Sequence, residues 1–329
     1  MVAGIISVMS DNNTFNLVGD IGATNARLSL VPLNSSDLTS IKKLPCNDFE
    51  TFQDAISFYL SSFPEAKIHS ACFATAGTVH LESFKLANNH WHINKQDVSS
   101  VLRNVDIHWV NDFAAQALAT TILTTDDIIV INPGYKRPES LRLAIGPGTG
   151  LGVCGLAMYA GGWAPIMGEG GHVDLSSNSN LQIEVLSLLS KKYGHVSVER
   201  ILSGPGIVNL YSALCQINGE KAQFNLPADI SVAATSANPD QIAFETLQLF
   251  CSIFGSVAGN AALNMGAIGG VYITSELVRN FLDLFLKSEF RQSFESKGRL
   301  QSYMAEIPVY LSIKDNMGLL GTVHVLNHK

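Results

Sequence analysis

Apolar and polar positions fall into blocks along the chain, and the period changes from block to block. Over Phe15–Val31 an apolar run, FNLV, leads into GDIGAT and then a second apolar run, ARLSLV. That order predicts strand, glycine turn, strand. Phe52, Ala55, Ile56, Tyr59 and Leu60 recur at helical spacing within Phe49–Phe63. Buried strands are predicted over Ser70–Ala76 and Val105–Val110, and a helix over Phe113–Leu123. A turn-rich stretch, Asn132–Ser140, precedes a second strand–turn–strand in LRLAIGPGTGLGVCGLAMY. Gly168–Asp174 is a third glycine-rich loop. Helices are predicted over Leu181–Tyr193, which Gly194 can end, and over Ile207–Gln216, which Ser203 and Pro205 can open. Further helices are predicted over Gln241–Leu263, Phe281–Phe290 and the tail from Gly318. GGVYITS and PVYLSI read as strands. Alternating strands and helices place the chain in the α/β class. The two glycine hairpins start about half a chain apart, which implies two similar halves.

The length of 329 residues suits about two domains of roughly 100–200 residues each. Apolar residues make up 47% and charged residues 15%, a core-forming composition. The net charge is −7 and no long basic run occurs, which argues against nucleic acid as a main partner. No apolar run approaches the ~20 residues of a membrane span, so no membrane association is expected. The N-terminal MVAGIISVMSDNN lacks a basic start and reads as a tail, not a signal peptide. The five cysteines show no C-x-x-C spacing and are expected to be reduced thiols of a cytoplasmic protein.

The glycine turns narrow the chemistry. No G-x-x-x-x-G-K-[ST] loop is present. Gly148, Gly150 and Gly152 alternate, but a poor helix follows, so a dinucleotide fold is not indicated. A hairpin fits better. Its glycines are expected to allow positive φ and close backbone approach. Loop N–H groups, with the hydroxyl of Thr24 or Thr149, can then surround phosphate oxygens. Asp20 would repel a phosphate; holding Mg²⁺ through water suits it better. Either loop alone could be an ordinary tight hairpin. Asn111 and Asp112 fall where a strand meets a helix, and from spacing alone they read as a helix cap.

D-I-G-A-T-N-A-R at Asp20–Arg27 and G-P-G-T-G-L-G at Gly146–Gly152 resemble the two phosphate motifs of the actin–hexokinase ATPase superfamily. Within it, the chain from about Phe15 onward is similar to bacterial-type glucokinases. N-D-F at Asn111, G-E-G-G-H-V-D at Gly168, G-H-V-S-V-E-R-I-L-S-G-P-G at Gly194, L-N-M-G-A-I-G-G-V-Y-I and K-D-N-M-G-L-L-G support the likeness. The resemblance implies two ribonuclease-H-like (actin/hexokinase-type) α/β domains around a central cleft. A small domain would span 1–121, with 314–329 packing back on it, and a large domain 122–313.

The same resemblance implies an ATP- and Mg²⁺-dependent kinase acting on the 6-hydroxyl of glucose, as a cytoplasmic homodimer. Asp112 becomes the catalytic base. Asn111, Asp112, Glu169, His172 and Glu199 become sugar-binding residues, with Asn88 and Trp91 near the sugar. Gly19, Asp20, Ile21, Gly22, Ala23, Thr24, Asn25 and Arg27, together with Gly148, Thr149 and Gly150, become nucleotide-binding residues. Asp20 would hold the metal through water. Two departures stand out. Ser275 and Glu276 replace a glycine pair in the adenosine segment, where side chains are expected to obstruct or repel the nucleotide. Ala23 replaces a second loop glycine, a minor change if its φ is negative. The departures leave two alternatives open: a sugar-sensing non-enzyme with an impaired nucleotide site, and a kinase for another hexose.

Overall fold

The computed structural model describes residues 13–77, 79–86 and 89–328. Two compact units emerge. One takes in the residues up to Ala119 and those from Asn316 onward; the other is Thr120–Asp315.

The first unit opens with an antiparallel meander: β1 (Thr14–Ile21), β2 (Asn25–Pro32) and β3 (Thr39–Pro45). Next along the chain is β4 (Lys67–Thr75); β5 (Ser83–Lys85) and β6 (His92–Asn94) then form a small separate hairpin, and β7 (Asp106–Asn111) completes the strands. β4 pairs parallel with β1, and β7 pairs parallel with β4, giving the order β3-β2-β1-β4-β7. Its helices are α1 (Phe52–Ser61), α2 (Lys95–Val101) and α3 (Asp112–Ala119). α1 starts at a capping box in which Thr51 and Asp54 satisfy each other's backbone N–H groups. Its apolar stripe of Phe52, Ala55, Ile56 and Tyr59 is buried with Leu17, Leu28, Leu30 and Phe73 of the sheet. Each large side chain so buried contributes about 1.5–3 kcal/mol.

The second unit repeats the pattern. Its strands are β8 (Ile128–Asn132), β9 (Arg142–Pro147), β10 (Leu151–Tyr159), β11 (Gly162–Met167), β12 (Gly270–Ile273) and β13 (Val309–Ser312). β9, β10 and β11 form an antiparallel meander. β12 runs parallel to β9 and β13 parallel to β12. β8 is an additional antiparallel edge, so the order is β11-β10-β9-β12-β13-β8. In both units a glycine loop therefore joins the first two strands of a meander, on the strand that borders the parallel pair. The two halves implied by the hairpin spacing are present as two sheets of matching connectivity.

The helices of this unit are α4 (Asn180–Tyr193), α5 (Gly204–Ile217), α6 (Pro227–Thr235), α7 (Gln241–Met265), α8 (Glu276–Arg279), α9 (Leu282–Lys287), α10 (Phe290–Glu295) and α11 (Gln301–Ala305). α7 is long and apolar enough to cross a membrane. Its Phe250, Phe254, Ala258 and Ala262 are instead fully buried in this unit's core. Gly255 of α7 lies directly against the carbonyl of Phe290, leaving no room for a Cβ. The single helix expected over Phe281–Phe290 is two helices, α9 and α10. Ser288 turns extended between them, and its Oγ donates to the Phe285 carbonyl at 2.7 Å while accepting the Phe290 N–H at 3.3 Å. The final helix, α12 (Met317–Asn327), belongs to the first unit. Its Leu319 and Val323 pack on Val18 and Val31.

Candidate active site

The loop between β1 and β2 is short, and its carbonyls are held from outside. Gly22 donates to the Asn25 carbonyl at 3.0 Å, Cys46 N–H donates to the Thr24 carbonyl at 2.8 Å, and Asn89 Nδ2 donates to the Gly22 carbonyl at 3.1 Å. Thr24 is exposed at the tip. Gly19 sits in β1, where a Cβ would meet Phe73 at 2.7 Å and Leu28 at 2.9 Å, so its smallness serves the core. Ile21 is fully buried, and only its backbone could serve a ligand. Ala23 is not among the residues with positive φ, so replacing glycine there costs no backbone strain. Asp20 and Arg27 are cross-strand partners, with Arg27 Nη1 3.5 Å from Asp20 Oδ2. A Cβ on Gly318 would stand 2.6 Å from the Asp20 carboxyl carbon, so the first turn of α12 abuts this carboxylate. A helix N-terminus favours a negative charge.

At the β7–α3 junction, Asn111 Oδ1 accepts the N–H groups of Phe113 and Ala114, both at 3.0 Å. Asn111 is thus the cap. Asp112 opens the helix, and its Oδ1 accepts the Phe113 N–H at 2.8 Å. Both residues are part exposed. Trp91 is a core residue: it is buried, packs on Phe52 and donates Nε1–H to the Phe49 carbonyl at 3.1 Å. Asn88 lies outside the described residues.

The loop Gly148–Gly150 in the second unit is tied on every side. Gly148 N–H donates to the Gly150 carbonyl at 2.7 Å, and Gly204 N–H at the start of α5 donates to the Gly148 carbonyl at 2.8 Å. Leu151 N–H donates to Glu199 Oε2 at 2.8 Å. Ser203 caps α5 through Gly206 N–H at 3.0 Å, as the Ser–Gly–Pro–Gly pattern predicts. Thr149 is exposed, and a Cβ on Gly148 would meet no described atom within 4 Å. Positive φ is not the reason for these glycines: Gly22, Gly148 and Gly150 all lie outside that region. Close approach accounts for two glycines of the second motif. Gly150 lies against the Glu199 carboxylate and Gly146 against the Thr274 carbonyl.

Ser275 does not face outward as an obstruction. It is buried, caps α8 by accepting Val278 N–H at 3.1 Å, and donates to the Pro147 carbonyl at 2.5 Å. The Glu276 side chain is mostly exposed, 4.0 Å from the guanidinium of Arg279.

Glu169 precedes a tight 3-10 turn, Gly170–His172, and His172 is its last residue. Gly170 packs on Val153 and Gly171 on the Leu151 carbonyl, which seats this turn on the start of β10. Val198 N–H donates to the Val173 carbonyl at 2.9 Å, Leu175 N–H to Val196 at 3.2 Å, and Asp174 bridges Ser197. These bonds stitch the Glu169–His172 turn to the turn carrying Glu199. The turn carrying Glu169 and His172 is thereby joined to the one carrying Glu199, whose carboxylate meets the Gly148–Gly150 loop; carboxylates and an imidazole are groups that can bond sugar hydroxyls.

Sequence reasoning passed over Asn89 and gave Cys46 no part in the first loop, which both hold in place. Asn89 had a local signal, since its Oδ1 accepts Trp91 N–H at 2.9 Å in an Asx turn. Cys46 had none, because it reaches the loop only through the pairing of β3.

Two glycine hairpins in matching positions of two related sheets, with a carboxylate opening a helix and a glycine-rich turn between Glu169 and His172, are the features of a sugar kinase of the two-domain type. The chain belongs to the glucokinase family, whose sequence profile matches residues 17–329. It is 45% identical to the glucokinase of Hahella chejuensis, covering 96% of this chain and 98% of that one. It is 40% identical to the glucokinase of Marinobacter nauticus, covering 95% and 98%. Among solved structures, the glucokinase of an Antarctic psychrotroph matches with a TM-score of 0.86 at 34% identity, covering 96% of this chain and 99% of that one. The glucokinase of Balamuthia mandrillaris, solved with glucose, matches with a TM-score of 0.82 at 20% identity, covering 98% and 96%, a likeness of fold.

Proposed function

We propose that the chain transfers the γ-phosphoryl group of ATP to the 6-hydroxyl of glucose, with Asp112 as the base. The observation that carries the assignment is the division of labour at the head of α3. Asn111 caps the helix through both Phe113 and Ala114. Beside that cap the Asp112 carboxylate takes the Phe113 N–H on Oδ1, at a helix N-terminus of the kind that favours the charged form of a carboxylate. It accepts the proton of the 6-hydroxyl as that oxygen attacks phosphorus. With its carbonyl end engaged, Asn111 offers its Nδ2 group as a donor to sugar. Glu169, His172 and Glu199 accept the remaining sugar hydroxyls. The loops Gly22–Asn25 and Gly148–Gly150 cradle the phosphates through backbone N–H groups, with the hydroxyls of Thr24 and Thr149. Gly19 and Ile21 support the first loop from the core, and Arg27 orients Asp20.

The donor set fits Mg²⁺. Asp20 supplies a carboxylate at the first phosphate loop, and no cluster of three or more His, Cys, Asp or Glu exists among the described residues. Mg²⁺ characteristically keeps several waters and takes its other ligands from substrate phosphates. Asp20 would hold it through water, and the ion would neutralise phosphate charge during transfer. The family likeness also supports a cytoplasmic homodimer, which sedimentation of the purified protein tests.

The decisive experiment is a coupled assay for glucose 6-phosphate on the parent and Asp112→Asn. The variant is expected to lose about 10²–10⁴-fold in kcat, the usual contribution of a general base, while calorimetry shows glucose binding retained. An unchanged kcat removes Asp112 from the role. A panel of hexoses and amino sugars in the same assay fixes the preferred substrate.

A further inference from the structure

The contact between Glu199 and the Gly148–Gly150 loop makes one residue common to two binding functions. Glu199 Oε2 accepts the Leu151 N–H at 2.8 Å. A Cβ on Gly150 would fall on that same oxygen and stand 3.1 Å from the carboxyl carbon. The Glu199 carbonyl accepts Ser203 Oγ–H at 2.8 Å. One residue further, Gly204 N–H holds the Gly148 carbonyl at 2.8 Å, and Gly148 N–H holds the Gly150 carbonyl at 2.7 Å. The segment Glu199–Gly204 therefore grips the loop at both ends, by a side chain at Leu151 and by the backbone at Gly148. Neither the carboxylate nor the loop can shift alone. A carboxylate accepts at two oxygens; Oε2 serves the loop, and Oε1 is the end for a sugar hydroxyl.

We propose that Glu199 couples the two substrates: a sugar hydroxyl on Oε1 fixes the carboxylate, and through Leu151 N–H the carboxylate fixes the loop that receives the nucleotide phosphates. This rests on the reading of Glu199 as a sugar ligand. Each ligand then orders a group that the other needs, so the second to bind orders less and binds more tightly. The linkage is reciprocal, and coupling of this kind is typically about 5–150-fold in affinity.

Calorimetry tests it on the full chain with glucose and a non-hydrolysable ATP analogue. In the parent, the glucose Kd should fall about fivefold or more when the analogue is saturating; no change would overturn the coupling whatever the variants do. In Gly150→Ala the new methyl displaces the Glu199 carboxylate. Glucose affinity should then drop by about tenfold with no nucleotide present, as for loss of a hydrogen bond to a charged group, and the coupling factor should fall toward one. Circular dichroism and a melting curve establish that the variant is folded. Glu199→Gln separates the two ideas. If it weakens glucose binding while Gly150→Ala leaves the nucleotide-free glucose Kd at the parent value, the coupling is wrong and the sugar role stands. If Glu199→Gln leaves glucose binding intact, the sugar role itself fails, and the coupling with it.

Discussion

Gly148 and Gly150 stand two positions apart and are glycine for different reasons. Gly150 has the Glu199 carboxylate against it, whereas a Cβ on Gly148 meets no described atom within 4 Å, and neither residue has positive φ. Alanine at Gly148 should thus fold without strain and project its methyl into the space proposed for phosphate. Gly148→Ala is expected to change stability by no more than about 0.5 kcal/mol. It should raise KM for ATP by about tenfold or more, the scale of one misplaced methyl in a fitted site. Melting curves with steady-state kinetics decide the matter, and a parent-like KM would mean the open side of Gly148 does not face the nucleotide. The motif around these glycines was legible in the sequence, but the cause of each was not. The partner of Gly150 lies 49 positions away, and a contact of that kind leaves no local pattern. The same holds for Ser275, whose obstructing role disappears once its hydroxyl is seen to bond the Pro147 carbonyl and cap α8.

Elements with strong ends and strong periodicity were legible as elements. α1, α4, α5 and α7 lie close to their expected spans because Thr51, Ser179, Ser203 and Asp240 cap them and Gly194 and Gly266 end two of them. β3 was not legible: most of its residues are at least partly exposed, so the alternation that marks a half-buried strand is weak. The break between α9 and α10 was missed because Phe281, Leu284, Phe285 and Phe290 are all buried, and an all-apolar face hides where one helix stops. In the first unit α12 crosses α3 with no space to spare, Gly321 lying on the carbonyl of Ala115. α3 opens with Asp112, so this crossing sets the position of the proposed base. Gly321→Ala is expected to push the helices apart. Overpacking at such a site costs about 1–3 kcal/mol, and kcat should fall along with stability. Urea unfolding and the glucose 6-phosphate assay measure the two effects, and full stability with full kcat would show that α3 does not depend on this crossing.

At the scale of the molecule, the first unit is completed only by the last helix of the chain, so anything that loosens α12 acts on the unit that carries Asp20, Asn111 and Asp112. One side chain on α12 makes this dependence sensitive to acid. His324 is buried at 7% exposure and stacks on His328 with ring centroids 4.1 Å apart. Burial, followed by the neighbouring His328, holds its pKa down to about 4. In the unfolded chain an imidazole titrates near 6.5. Between those two values the unfolded state binds a proton that the folded state refuses, so stability falls as pH falls through that window. Above about pH 6.5 both states are neutral at this residue and the contribution is complete; by about pH 4 it is lost. The window corresponds to roughly 2–3 kcal/mol. The many carboxylates also titrate on the way down, and a variant isolates the histidine from them. His324→Leu keeps an apolar side chain in the site and never titrates. The stability advantage of the parent over this variant, from urea unfolding at a series of pH values, is therefore expected to shrink by that amount from pH 7 to pH 4. Parallel curves across the range would show that His324 takes up its proton in the folded chain as readily as in the unfolded one.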